Sequence, residues 1–318
     1  MSERGQTGIL EEFRVEFLKC WERLPNRGLF LGLLAAWLLL FQCYGNSTFG
    51  YVDTPSLFGW MWNAYSGGDG SEEHGKFVPL VVLLLFWWKR KDLMAAAAGL
   101  WLPGLLVFGL GLALHVVGYM VQQPRVSIIG LFVGLYGLMG LAWGWRFLWA
   151  SFFPFFLFAF SVPLGSLAER ITFPLRLLVT YLSVGISQAV GCDVLRDGSR
   201  IFDAQRTFQF DVAPACSGIR SLVALIALTL IFGYVAFKSW WRRGLMILAA
   251  FPLAVFSNVT RITFTIFIAE LFGQDAGKTV EQNSGFVTFA VAIACVLALE
   301  RWLREPKPAA PAPGSQPA

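Results

Sequence analysis

Residues 127–144 read Ser127-Ile128-Ile129-Gly130-Leu131-Phe132-Val133-Gly134-Leu135-Tyr136-Gly137-Leu138-Met139-Gly140-Leu141-Ala142-Trp143-Gly144, a stretch without a single charge. An uninterrupted apolar run of about this length is a membrane-span candidate. Runs of the same character recur on both sides, at 29–45, 77–88, 94–121, 147–165, 217–237, 244–270 and 285–303. The run at 77–88 is short and is expected to extend into its flanks. Of the 318 residues, 56% are hydrophobic and 14% charged, against roughly 25% charged in soluble domains. The predicted fold class is therefore all-α: a polytopic integral membrane helical bundle of about eight transmembrane helices plus interfacial helices.

The flanks of this bundle are short. Residues 1–28 carry Leu10, Phe13, Phe17, Trp21 and Leu24 at helical spacing, which predicts an amphipathic helix on the cytoplasmic membrane surface rather than a cleavable signal peptide. The transmembrane domain is expected over 29–303. Residues 304–318 are expected to form a disordered, Pro/Ala-rich cytoplasmic tail.

The net charge of +5 does not point to nucleic acid, because the basic residues sit in short clusters between apolar runs. Lys89-Arg90-Lys91 forms one cluster, Lys238, Arg242 and Arg243 a second, and Arg301, Arg304 and Lys307 a third. The positive-inside rule assigns all three to the cytoplasm, which turns 46–76, 191–215 and 271–284 outward. With that parity, 172–190 does not cross the bilayer. Its Arg176, Thr180, Ser183, Ser187 and Gln188 suit an interfacial or re-entrant helix. Five cysteines show no zinc spacing and the histidines are only two, so neither a metal site nor a cofactor is expected.

Polar residues at span ends and within spans are the candidates for function. Cys216 precedes an expected span in Pro214-Ala215-Cys216-Ser217-Gly218-Ile219-Arg220-Ser221. A helix start lowers a thiol pKa, and Arg220 lies one turn on; a lone cysteine there serves either packing or nucleophilic chemistry. Asn258-Val259-Thr260-Arg261 lies within the seventh span. Arg261 stands roughly 26 Å from the cytoplasmic end of that span at 1.5 Å per residue, level with Cys216. It either snorkels to headgroups or lines a polar pocket. Glu281, in Glu281-Gln282-Asn283-Ser284-Gly285, and His74, in Glu72-Glu73-His74-Gly75, fall on the same outer side. A nucleophile, a guanidinium and a carboxylate on one membrane face suit attack on a carbonyl. His115, in mid-span, is expected to pack.

These stretches resemble the exosortase/archaeosortase family of membrane-embedded cysteine transpeptidases. Ala215-Cys216-Ser217-Gly218-Ile219-Arg220-Ser221 is similar to the family's nucleophile motif, and Asn258-Val259-Thr260-Arg261 to its arginine motif. Glu73-His74-Gly75-Lys76-Phe77-Val78-Pro79-Leu80 with Trp87-Trp88-Lys89-Arg90 resembles its first loop and second span, and Gly191, Val194 and Gly198 also fit. The resemblance covers roughly 30–303 and implies a protease/transpeptidase that cleaves C-terminal sorting signals of exported proteins, of PEP-CTERM type, each a short motif, a transmembrane helix and a basic tail. The product passes to a surface acceptor at the outer face of a bacterial plasma (inner) membrane. The implied partners are those substrate tails and membrane lipid.

The resemblance implies Cys216, Arg261 and Glu281 as catalytic residues, with Ser217, Arg220, Asn258 and His74 in support. Cys216 is expected to stay free of Cys192. The short tail implies no fused C-terminal accessory domain. One position departs from the pattern: the family carries a histidine or arginine before the last span, where this chain has Glu281. A carboxylate there raises a nearby thiol pKa unless it acts as the base, and His74 is an alternative third residue. A catalytically silent tail-binding or scaffold member in surface-polymer export is the competing reading. A small-solute transporter would instead place its polar site near the bilayer midplane.

Overall fold

The computed structural model describes residues 3–67, 72–205, 208–211 and 219–304. The chain divides after Gly165 into two compact units, Met1–Gly165 and Ser166–Ala318. Helices dominate both, as the apolar runs require: a backbone in hydrocarbon must satisfy its own hydrogen bonds. Three described helices are long and apolar enough to cross a membrane, Arg27–Tyr44, Pro124–Trp143 and Trp240–Phe272, and four shorter apolar helices accompany them.

The first unit opens with α1 (Glu3–Arg23) and α2 (Arg27–Tyr44), followed by α3 (Leu57–Tyr65) and a 3-10 turn at Glu73–Lys76. Ser56 caps α3, its Oγ accepting from the Gly59 amide at 2.9 Å. Then come α4 (Val78–Trp88), α5 (Arg90–Ala96), α6 (Gly104–Met120), α7 (Pro124–Trp143) and α8 (Trp145–Phe156), the last continued by a 3-10 turn at Leu157–Ser161.

The tightest packing joins α6 to α7. Gly104, Gly111 and Gly118 recur every seven residues on α6, and each lies against backbone of α7. A Cβ on Gly104 would meet the Leu141 nitrogen at 2.5 Å, and one on Gly118 the Ser127 nitrogen at 2.7 Å. On the other side, a Cβ on Gly130 would meet the Gly111 oxygen at 2.7 Å, and one on Gly134 would strike the Trp37 ring. Small residues that let backbones touch are how helices associate where lipid removes the hydrophobic drive. Trp37 of α2 closes the seam, donating from Nε1 to the Leu131 carbonyl at 3.0 Å, and its neighbours Phe41, Ile128 and Leu138 are buried.

The second unit holds α9 (Ser166–Ala189), a three-stranded antiparallel sheet of β1 (Val194–Asp197), β2 (Arg200–Asp203) and β3 (Gln209–Asp211), then α10 (Ile219–Ala236), α11 (Trp240–Phe272) and α12 (Gln274–Leu303). In the sheet, Leu195 pairs with Phe202 and Ile201 with Phe210. Val194, Ile201, Phe208 and Phe210 are buried in one cluster with Val179 and Val184 of α9 and Ile262 and Ile266 of α11.

Several boundaries differ from the sequence-based expectation. The span expected over 94–121 is split: 94–96 end α5, and helix resumes only at Gly104. Gly99 at φ +128° and Pro103 interrupt it, and the intervening chain donates from the Ala98 and Trp101 amides to the Trp143 and Leu141 carbonyls. The short second span gains a 3-10 turn before it and α5 after it, rather than lengthening as one helix. Residues 172–190 lie almost wholly within one 24-residue helix, α9. The expected outward loop 191–215 contains the sheet. Most of 271–284 is helix, because a single residue, Gly273 at φ +86°, turns the chain from α11 into α12.

Candidate active site

The α11–α12 turn positions the site. Gly277, in the first turn of α12, packs so closely that an added Cβ would meet the Phe210 ring of β3 at 2.6 Å and the Ala269 Cβ of α11 at 2.8 Å. Counting one turn along each antiparallel helix from the 269–277 contact sets Glu281 level with Thr265, and Arg261 lies one turn deeper. Arg261 and Glu281 accordingly line one small cavity of ≈ 20 Å³, walled by Ile201 of β2, Phe210 of β3 and Ile262, Thr265 and Ile266 of α11. Such a volume holds about one water.

Arg261 is 7% exposed, and its Nη2 finds no hydrogen-bond partner among the described residues. Glu281 is half-buried. Asn258 lies one turn before Arg261; it is 1% exposed, and its Nδ2 likewise lacks a partner among the described residues. An orphaned buried donor costs about 1–3 kcal/mol. Two on adjacent turns single out this place as the candidate site.

Opposite them, α9 buries Arg176, Thr180, Ser183 and Ser187, spaced as one helix face. Thr180 donates to the Arg176 carbonyl at 2.9 Å, and Ser183 crosses to the Val259 carbonyl of α11 at 3.4 Å. Ser187 Oγ is buried without a partner among the described residues. The sequence assigns these residues to an interfacial or re-entrant helix; their 4-3-4 spacing is the signal of a single buried polar face on it. The sheet is not among the expectations, although Arg196-Asp197-Gly198-Ser199-Arg200-Ile201 has a Gly-Ser pair between short β-type runs, a hairpin signal. Gly198, at φ +60°, opens that two-residue loop.

Of the residues the sequence singled out, the structure brings together Arg261 and Glu281, with Asn258 one turn away. Cys216 and Ser217 lie outside the described residues, as does the Arg220 side chain; Ile219 and Arg220 open α10. His74 stands in the 3-10 turn Glu73–Lys76 of the first unit. His115 is buried, its Nδ1 3.3 Å from Ser127 Oγ, in keeping with packing. Cys192 is a free thiol; burial, then the charge of Glu270, push its pKa up, which suits an inert thiol rather than a thiolate. Among the described residues, no three His, Cys, Asp or Glu side chains group to hold a metal ion.

Helices of membrane-crossing length, and a polar pocket built where a small sheet meets one of them, α11, and the neighbouring α12, define a polytopic helical membrane protein with an arginine and a carboxylate in one cavity. The chain belongs to the transmembrane exosortase family: the sequence model of that family matches residues 62–298. No curated protein and no solved structure matches the chain.

Proposed function

We propose that the protein is a cysteine transpeptidase that cleaves C-terminal sorting signals of PEP-CTERM type and transfers the exported protein to a surface acceptor. The active site faces outward from a bacterial plasma membrane. The observation that carries this reading is the shared cavity of Arg261 and Glu281, walled by β3, the strand that leads in sequence toward Cys216.

The Cys216 thiolate attacks the scissile carbonyl. The Arg261 guanidinium, already desolvated and with a donor to spare, stabilises the tetrahedral oxyanion. Glu281 takes the thiol proton and returns it to the departing amine of the signal segment. The carbon–nitrogen bond breaks as the thioester on Cys216 forms. An acceptor nucleophile then displaces the sulfur, giving the new bond to the surface acceptor and a free thiol. Glu281 in the role of base accommodates the departure from the family's cationic residue, since a carboxylate can shuttle the proton although it cannot pair with a thiolate.

The test is in-cell processing of a reporter bearing a motif, transmembrane helix and basic tail, with wild type and Cys216→Ala compared at equal membrane abundance. Wild type shortens the reporter and Cys216→Ala leaves it full length. Equal processing by both removes the cysteine mechanism, and a reporter that is bound but never cut supports the silent scaffold instead.

A further inference from the structure

Away from the candidate active site, the first unit carries two adjoining grooves beneath α1. One, of ≈ 550 Å³, is almost wholly apolar, and its walls include Phe17 and Trp21 of α1, Leu34 of α2, Phe86 of α4, Met139 of α7 and Phe147 of α8. The other, of ≈ 1060 Å³, runs along the charged side of α1. The two meet at Cys20, Arg90 and Met94, which line both. The volume of the apolar groove lies in the ~300–1,000 Å³ range of small-ligand sites.

Charge is sorted along this junction. Arg90 is committed to the scaffold: Nε and Nη2 donate to Glu16 at 2.9 and 2.8 Å, Nη1 donates to the Trp87 carbonyl at 3.0 Å, and the guanidinium stacks on Trp87 at 4.4 Å. Phe13 packs on the same indole at 4.5 Å, so α1 is pinned over the groove. Apart from the Arg90–Glu16 pair, the charged residues lining the groove within one turn of the shared Cys20 or Met94 are Lys19, Arg23 and Lys91, all exposed and in no ion pair among the described residues. Glu11 and Glu12 also line the charged groove, but they lie roughly 12–14 Å from Cys20 along α1 at 1.5 Å per residue. An apolar slot therefore opens directly onto three uncommitted positive charges, on the side that the positive-inside rule assigns to the cytoplasm.

We propose that this junction binds one anionic phospholipid, its phosphodiester between Lys19, Arg23 and Lys91 and an acyl chain in the aromatic groove. Inside a bilayer an apolar slot at this depth is filled by acyl chains, and the basic rim selects which headgroup comes with them. Bound there, the lipid ties α1 to α4 and α5.

The experiment uses the full chain, delipidated in detergent and titrated by native mass spectrometry with phosphatidylglycerol and, separately, phosphatidylcholine. Wild type should hold one phosphatidylglycerol roughly tenfold more tightly than phosphatidylcholine. Lys19→Gln/Arg23→Gln/Lys91→Gln changes only exposed side chains and should erase that preference. Leu83→Trp, at an exposed position lining the groove, should weaken both lipids. Glycerol phosphate, a headgroup without chains, should not compete. The proposal is overturned by equal binding of the two lipids to wild type, by a preference that survives the triple substitution, by competition from glycerol phosphate alone, or by a second copy of the chain taking the place of lipid. Since no sorting-signal substrate is used, the outcome is independent of the transpeptidase reading.

Discussion

Along α6 and α7, glycines let two backbones touch; along α9 and α11, arginine, asparagine, serine and threonine are buried face to face. Both are helix pairs within a protein of membrane-spanning helices, and they solve different problems. The α6–α7 pair leaves no room for a side chain at Gly104, Gly111 or Gly118, and polar groups at its seam, His115 with Ser127 and Trp37 of α2 on the Leu131 carbonyl, are hydrogen-bonded. The α9–α11 side retains Ser187 Oγ, Asn258 Nδ2 and Arg261 Nη2 without partners among the described residues. Close packing is spent on rigidity in the first pair. In the second, unspent hydrogen-bonding capacity is held in place, which is how a binding or catalytic surface differs from a structural one.

The largest expected effect falls on the polar side. Arg261→Ala should lower reporter processing at least about 100-fold with membrane abundance retained, the scale of losing an oxyanion donor; Arg261→Lys should recover only part of it, because a point charge does not replace a forked donor. Gly111→Leu tests the other side. It should cost on the order of 3 kcal/mol or more by forcing α6 from α7, read as loss of monodisperse protein in detergent, with activity falling only in proportion to folded protein. Asn258→Leu should separate the two kinds of surface most sharply. Removing an unpartnered buried donor should leave the melting temperature unchanged or raise it by the equivalent of about 1 kcal/mol, while processing drops roughly tenfold. If instead melting and processing fall together, Asn258 belongs with the packing residues and the contrast fails.

The smallest effect concerns Cys192. Burial and the Glu270 charge raise its pKa, so at neutral pH it is held as thiol. Glu270→Gln should lower that pKa, increase the thiolate fraction and speed maleimide labelling of Cys192 by a few-fold. An unchanged rate would mean that access alone limits the reaction.

How much of this was legible beforehand follows the same division. Hydropathy marked α2, α7, α10 and α11 to within a few residues, because bilayer thickness imposes their length. It over-extended the span at 94–121, where Gly99 and Pro103 separate α5 from α6 inside an apolar run. It treated 271–284 as loop, since Gln274, Asp275, Lys278 and Glu281 look solvated, yet one glycine suffices to turn α11 into α12. That Arg261 and Glu281 lie at one level is expected from depth alone; their shared cavity depends on Gly277 admitting Phe210, which no periodicity announces. The sheet escaped because strands of three and four residues are too short to stand out between apolar spans. The polar residues of α9 suit an interfacial or re-entrant helix, and that they form one buried face becomes visible only with α11 packed on them, where Ser183 donates to the Val259 carbonyl.

As proposed, the polar side of the second unit serves a thioester on Cys216. Wild-type protein incubated with a sorting-signal substrate and quenched in acid should yield, by peptide mass spectrometry, substrate linked to the Cys216 peptide and released by hydroxylamine. The adduct should be absent from Arg261→Ala. Processing that proceeds with no adduct at Cys216, or with one on another cysteine, would contradict the account.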